Sequence, residues 1–282
     1  MLLNALTLHL PKTSQEAAKL YKELEDSKIL AGGTFLLNSL KYLKAKGNKT
    51  AKHVISLSSI DALKTIELNG DELTLGAMVT ITDLFESPLL TDNFLILKTI
   101  CRNISTTPIR NMASVGGNLT CRYTWTELPV AMIALDAQMY FLKPDGGIVT
   151  QRAEDFFKNN ARSEYLFTHL TIKKNTLAKL AYQRVRKMSE VDQPLLTVLV
   201  KVDIQSGQLS NARVVINSGT AFAQRDYTAE NFLNGKKINA ALSADVMAHL
   251  TNTIYDTRSS EYKQHMFRTC IRKSIEQIMN KG

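Results

Sequence analysis

Residues Pro108 to Thr120 read PIRNMASVGGNLT, and two adjacent glycines among small and polar residues leave several backbone N–H groups unobstructed. An anionic ligand needs such a surface. Gly116 and Gly117 lack a Cβ, so they can take positive φ and let backbone approach a phosphate closely. Successive amides in a turn of this kind form an anion-binding nest. Ser114 and Asn118 add short polar groups on either side, and Leu128 to Leu135 reads as a buried helix behind the loop. A plain structural turn has the same composition, so this stretch alone leaves both uses open.

A second glycine pair narrows the choice. Ile29 to Leu37 reads ILAGGTFLL and puts Ala31, Gly32, Gly33 and Thr34 directly after a short apolar run that reads as a strand. Two cradles suit a ligand with two phosphates. Neither matches the dinucleotide fingerprint GxGxxG or the phosphate loop GxxxxGK[ST], so the ligand is expected to be held without a Rossmann unit.

The AGGT loop near residue 30, followed by IRNMASVGGNL and then LPVAMIALDA, resembles the FAD-binding subunit of the molybdenum hydroxylases, the xanthine dehydrogenase and carbon monoxide dehydrogenase medium-subunit family. The likeness runs almost end to end. RAEDFF (Arg152–Phe157), YLFTHLTI (Tyr165–Ile172), YQRVRKMSEVD (Tyr182–Asp192) and SSEYKQHMFRTCIRKSI (Ser259–Ile275) fall in the family's order. The resemblance implies an α+β fold: a two-lobed FAD-binding domain of the PCMH/vanillyl-alcohol-oxidase type, then a small C-terminal α+β domain of sheet backed by helices.

It also implies site residues. FAD contacts are expected from Ile29, Leu30, Ala31, Gly32, Gly33, Thr34, Phe35 and Leu36, and from Ser114, Val115, Gly116, Gly117 and Asn118. Ile104 falls where the family has a flavin contact, and equally on the buried face of its own helix. Where the family usually has an aspartate this chain has Glu127, which can accept hydrogen bonds from flavin or ribose or cap the helix that begins at Leu128. Phe167 corresponds to a residue near the adenine end, or to ordinary core. Trp125 and Tyr123 can cover a flavin, face a partner or simply pack. The family places a lysine near the flavin in a segment like Tyr182–Asp192. Simplest counting puts Gln183 there, with Arg184 and Lys187 as the candidate cations and solvated surface as their alternative.

Composition bounds the rest. A chain of 282 residues with 44% hydrophobic content can bury a sizeable core in two or three lobes. Expected divisions are 1–57 for an N-terminal βαβ lobe, 58–174 for a second α+β lobe, and 175–282 for the C-terminal domain. Thr13 and Glu16 have capping-box spacing before a helix carrying Ala17, Leu20, Tyr21 and Leu24. Asn69-Gly70 signals a hairpin between Leu63–Leu68 and Leu73–Met78. Helices are expected over Ala241–Tyr255 and Ser260–Met279, the latter with Phe267, Ile271, Ile275 and Ile278 as its buried stripe.

No membrane span or secretory leader is evident, and Cys101, Cys121 and Cys270 form no CxxC pair, which fits a cytoplasmic protein without its own zinc or iron–sulfur site. The net charge of +9 includes Lys41, Lys44, Lys46, Lys49 and Lys52, but these lack the interleaved aromatics of a base-stacking platform, so nucleic acid is not expected. The five histidines never fall in HExxH spacing, and no GxSxG elbow exists.

Phosphate cradles without an acid, base or nucleophile suit a protein whose cofactor carries the chemistry. The resemblance then implies an oxidoreductase subunit that holds FAD and passes electrons from 2Fe–2S clusters of a small partner subunit to NAD+ or another acceptor. Molybdopterin would sit in a large partner subunit. The alternatives are a stand-alone FAD-dependent NAD(P)H oxidoreductase and a flavin-free scaffold subunit.

Overall fold

The computed structural model describes residues 3–121, 123–158, 163–188, 191–217, 222–251 and 261–280. Three sheets succeed one another along the chain. The first lobe runs β1 (Thr7–His9), α1 (Ser14–Glu23), β2 (Ser27–Leu30), α2 (Leu36–Ala45) and β3 (His53–Ser56). Its strands are parallel in the order β1-β3-β2. Thr13 caps α1 by accepting from Glu16 N at 3.1 Å, while Glu16 reaches one residue beyond the expected box and accepts from Lys12 N at 2.8 Å. Ala17 and Ala18 of α1 then pack on Ile55 and Leu57. The stretch after the first glycine loop forms α2, which carries Lys41 and Lys44 and is anchored through Leu40 on Ala51 and Val54.

The second lobe contains β4 (Ile66–Asn69), β5 (Glu72–Gly76), α3 (Ile81–Glu86), α4 (Leu95–Asn103), α5 (Thr107–Arg110), α6 (Val115–Thr120) and α7 (Leu128–Ala134). It continues through β6 (Gln138–Leu142), β7 (Ile148–Arg152), α8 (Ala153–Lys158) and β8 (Leu166–Lys173). The sheet is antiparallel throughout, in the order β4-β5-β8-β6-β7. Asn69 pairs with Glu72, so the hairpin loop is Gly70-Asp71, one residue later than the Asn-Gly signal implies, with Gly70 at φ 59°. Every residue of α7 is buried, as its unbroken apolar sequence requires.

The third unit holds β9 (Ala178–Val185), β10 (Leu196–Gln205), β11 (Gln208–Asn217), β12 (Gln224–Arg225), α9 (Tyr227–Leu233), α10 (Leu242–Asp245) and α11 (Glu261–Met279). Its antiparallel order is β12-β11-β10-β9. Val198, Val200 and Val202 of β10 meet Phe267, Ile271, Ile275 and Ile278 of α11 in one core. Leu199 and Val215 join the second lobe's core instead, so this sheet is covered on both faces.

A single helix over Ala241–Tyr255 does not form. After α10 the chain makes a 3-10 turn (Val246–His249), and Leu250 is extended. Thr251 is held there by the Asp226 carboxylate, which accepts from its N–H at 2.9 Å and its hydroxyl at 2.7 Å. The rest of that expected helix and Ser260 lie outside the described residues.

Candidate functional site

The two glycine stretches meet. A Cβ built on Gly32 would lie 1.7 Å from the Met112 carbonyl oxygen, so only glycine lets the first loop rest on the backbone that leads into α6. Its neighbour Gly33 has φ +70°, the left-handed region that glycine favours. Together the loops bound a cavity of about 680 Å³, within the usual range of roughly 300–1,000 Å³ for a small-molecule site.

The two loops are not equivalent. Gly32, Gly33 and Thr34 donate their amides to no group among the described residues. The second stretch is a short helix rather than an open turn, and its glycines do not take positive φ. Val115 N–H donates to Val79 O and Gly116 N–H to Ala77 O, both at 2.8 Å; Gly117 N–H donates to Ser114 Oγ at 3.0 Å. The nest expected there is therefore satisfied internally. Gly116 is needed because a Cβ would come within 2.7 Å of Ala77 O. What this side presents to the cavity is the Ser114 hydroxyl and the Asn118 amide, whose Oδ1 is buried without a partner.

Ile29, Ala31, Gly32, Gly33, Thr34, Phe35 and Leu36 line the cavity from the first lobe. Ile104, Ser114, Gly116, Gly117, Asn118, Glu127 and Phe167 line it from the second. Ile104 and Phe167 also pack on the second lobe's core, so the buried-face and core readings hold for both while each also faces the cavity. Leu30, Val115, Arg184 and Lys187 are not in the wall. Leu30 packs against Leu40 and Val54, and Val115 is fully buried in the core. Lys187 is exposed, and Gln183 turns away to donate to Gln277 of α11 at 3.1 Å.

Glu127 does not cap α7. Its buried carboxylate accepts from Arg184 Nε at 2.9 Å and from the Tyr182 hydroxyl. Burial pushes the Glu127 carboxyl above its ordinary range, while Arg184 and Tyr182 pull it back. The same burial, with the Glu127 charge beside it, holds the Tyr182 hydroxyl well above its own. Phe35, Tyr123 and Trp125 form an aromatic cluster in the wall, with ring centroids 3.9 and 4.3 Å apart along the row, and Tyr123 shares a hydrogen bond with Ser39. Of the cysteines, Cys101 and Cys270 are buried with thiols pushed up to about 12 and about 11, and Cys121 lies in the cavity wall.

Sequence reasoning missed Lys28, Ser105, Tyr165 and the run Val191–Pro194, all of which line the cavity. For the last of these the one available signal was Pro194, breaking the pattern between two strands.

Residues 4–180 match the family described as the FAD binding domain in molybdopterin dehydrogenase, and residues 181–278 the CO dehydrogenase flavoprotein C-terminal domain. The nicotine 6-hydroxylase medium subunit of Paenarthrobacter nicotinovorans is 26% identical over 283 residues, covering 98% of both chains. The carbon monoxide dehydrogenase medium chain of Hydrogenophaga pseudoflava is 31% identical over 150 residues, 53% of this chain and 50% of that one. The fold superposes on the Cu,Mo-CO dehydrogenase, cyanide-inactivated form, with TM-score 0.87 at 24% identity and full coverage of both chains. Quinoline 2-oxidoreductase from Pseudomonas putida 86 gives 0.86 at 20% identity, covering 100% and 99%. The chain therefore belongs to the family of FAD-binding subunits of the molybdenum hydroxylases.

Proposed function

We propose that FAD lies in the cavity between the two glycine stretches, and that this subunit carries electrons from a small iron–sulfur subunit to a diffusible acceptor. The observation that carries the reading is the set of amides at Gly32, Gly33 and Thr34, which take no acceptor among the described residues, set against the Ser114 hydroxyl and the Asn118 side chain, whose Nδ2 can donate to an anion. They fit a pyrophosphate: backbone N–H groups from one side, hydroxyl and side-chain amide from the other. Ile104, Phe167 and the aromatic cluster supply apolar surface for the rings. When bound, a flavin exchanges one electron with a cluster or two as hydride with a nicotinamide.

The protein's part is to bind, orient and keep water from the ring system. Substrate oxidation is assigned to molybdopterin in a large partner subunit, and NAD+ is the proposed acceptor. The three cysteines, none of them in a disulfide, support a cytoplasmic location. Among the described residues no helix is long and apolar enough to cross a membrane.

The test is the visible spectrum of the purified full chain after FAD addition and gel filtration, followed by co-expression with candidate iron–sulfur and molybdopterin subunits. Retained flavin and a co-purifying complex that reduces NAD+ support the whole reading. A chain that never retains FAD refutes it, and a loaded complex that reduces only other acceptors removes the NAD+ assignment.

A further inference from the structure

The C-terminal domain contributes its own piece of the cavity wall. Asp192, Gln193 and Pro194 line the cavity from the connection between β9 and β10, whereas Glu127 lines it from the start of α7. One side chain joins the two. Arg184 on β9 donates from Nε to Glu127 at 2.9 Å, from Nη1 to the Asp192 carboxylate at 3.0 Å, and from Nη2 to the Asp192 carbonyl at 2.6 Å. All three side chains are nearly sealed from solvent, at 6% exposed for Arg184, 5% for Glu127 and 2% for Asp192. The second Asp192 oxygen accepts from the N–H groups of Lys187 and Met188, which locks the carboxylate to its own turn.

We propose that Arg184 is a positioning residue for the cofactor cavity: by dividing its guanidinium between Glu127 and Asp192 it makes FAD retention depend on the C-terminal domain. This rests on the cavity being the FAD site. Arg184 is not itself in the wall, so it acts through the two carboxylates.

The chemistry requires arginine. A planar fork can serve two carboxylates at fixed angles, and a lysine ammonium cannot reproduce that geometry. Loss of the guanidinium would leave two buried negative charges beside a cavity proposed to take an anionic pyrophosphate. That arrangement repels both the opposite wall and the ligand. Among the described residues, other polar groups close to Glu127 include the Tyr182 hydroxyl, which donates to it, Arg186, which is bonded to Asn103 of α4, and the buried Cys101 thiol.

The experiment measures FAD release from the full-length chain, by the rise in free-flavin fluorescence after dilution at pH 8. Wild type is compared with Arg184→Lys, Arg184→Met, Asp192→Asn and the Arg184→Met/Asp192→Asn double variant, with far-UV circular dichroism on each. Release is expected about tenfold or more faster from both Arg184 variants, with native circular dichroism. The double variant is expected to be no worse than Arg184→Met alone, because the two residues act through one contact. Should Arg184→Met fail to fold, Arg184→Lys and Asp192→Asn carry the comparison. Release from Arg184→Lys within about twofold of wild type, or single effects that simply multiply in the double variant, overturns the proposal while leaving the FAD site standing. A wild-type chain that binds no FAD overturns both.

Discussion

Replacing Gly32 with alanine tests the contact on which the cavity is built. The added Cβ would lie 1.7 Å from Met112 O and 2.5 Å from Met112 C, whereas such contacts essentially never fall below 3.0 Å. A gap of more than about 1 Å must open, and both partners are backbone, so no rotamer change can relieve it. Nor is the far side free to retreat. Ile81 N–H holds Ala113 O at 2.9 Å, and the Val115 and Gly116 amides hold Val79 O and Ala77 O.

Overpacking of this kind costs about 1–3 kcal/mol, and each backbone hydrogen bond lost adds about 1. The expected destabilisation is therefore about 3 kcal/mol, which for a chain of this size lowers Tm by about 6–12 °C. FAD affinity should fall at least about tenfold, because the two walls separate. Gly33→Ala is the control. It introduces left-handed strain of about 1–2 kcal/mol, but its nearest contact is the movable Leu30 Cδ1 at 3.3 Å. Differential scanning fluorimetry and FAD titration read both variants. Gly32→Ala within about 0.5 kcal/mol of wild type, or Gly33→Ala the worse of the two, would refute the reasoning.

Gly117→Val places its Cβ 3.1 Å from Ser114 Oγ and 3.7 Å from Ala31 in the cavity wall, so FAD titration should show at least about tenfold weaker binding while Tm moves by less than about 3 °C. Phe267→Ala empties the centre of the C-terminal core, where the ring is fully buried, and should cost about 3–5 kcal/mol in urea denaturation. Asp192→Asn tests a pH sign. Burial alone would push this carboxyl up, but the Met188 and Lys187 amides and Arg184 hold it below the usual carboxylate range. A lowered folded pKa stabilises the fold above the unfolded value and is lost as pH falls through the folded one. The Tm advantage of wild type over Asp192→Asn should be full at neutral pH and shrink below about pH 4; equal advantages at pH 3 and pH 7 would count against it.

The elements legible in the sequence are those governed by local pattern. The Thr13 cap, the strand before the first glycine loop, the Leu128–Ala134 helix and the Phe267–Ile278 stripe each follow from spacing a few residues long. α6 was illegible because glycine is a poor helix former, and what holds it is distant: carbonyls of Val79 and Ala77 take its first amides. Its glycines are required for close packing and not for unusual φ, a distinction that composition cannot make. Glu127 and Arg184 were each picked out as ligand contacts, yet they pair with each other across the two domains, and no local pattern reports a pairing at that separation. Val191–Pro194 enters the cavity for the same reason, through the placement of a whole sheet.

Why the cavity lies where it does follows from the change in sheet type along the chain. In the parallel first lobe the strands β2 and β3 run the same way, so the segments leaving their carboxyl ends, Ala31–Leu36 and Leu57, emerge on one side and both reach the cavity. That is the edge at which open parallel sheets present amides without strand partners. An antiparallel sheet has no such edge, because consecutive strands deliver their ends to opposite sides. The second lobe therefore reaches the cavity through α6 and the residue before α7 as well as through its sheet, and the Val115, Gly116 and Gly117 amides are already bonded within the lobe. This asymmetry explains why one glycine loop offers N–H groups while the other offers Ser114 and Asn118 side chains. The C-terminal domain supplies a further part of the wall, where Asp192–Pro194 line the same cavity as Glu127.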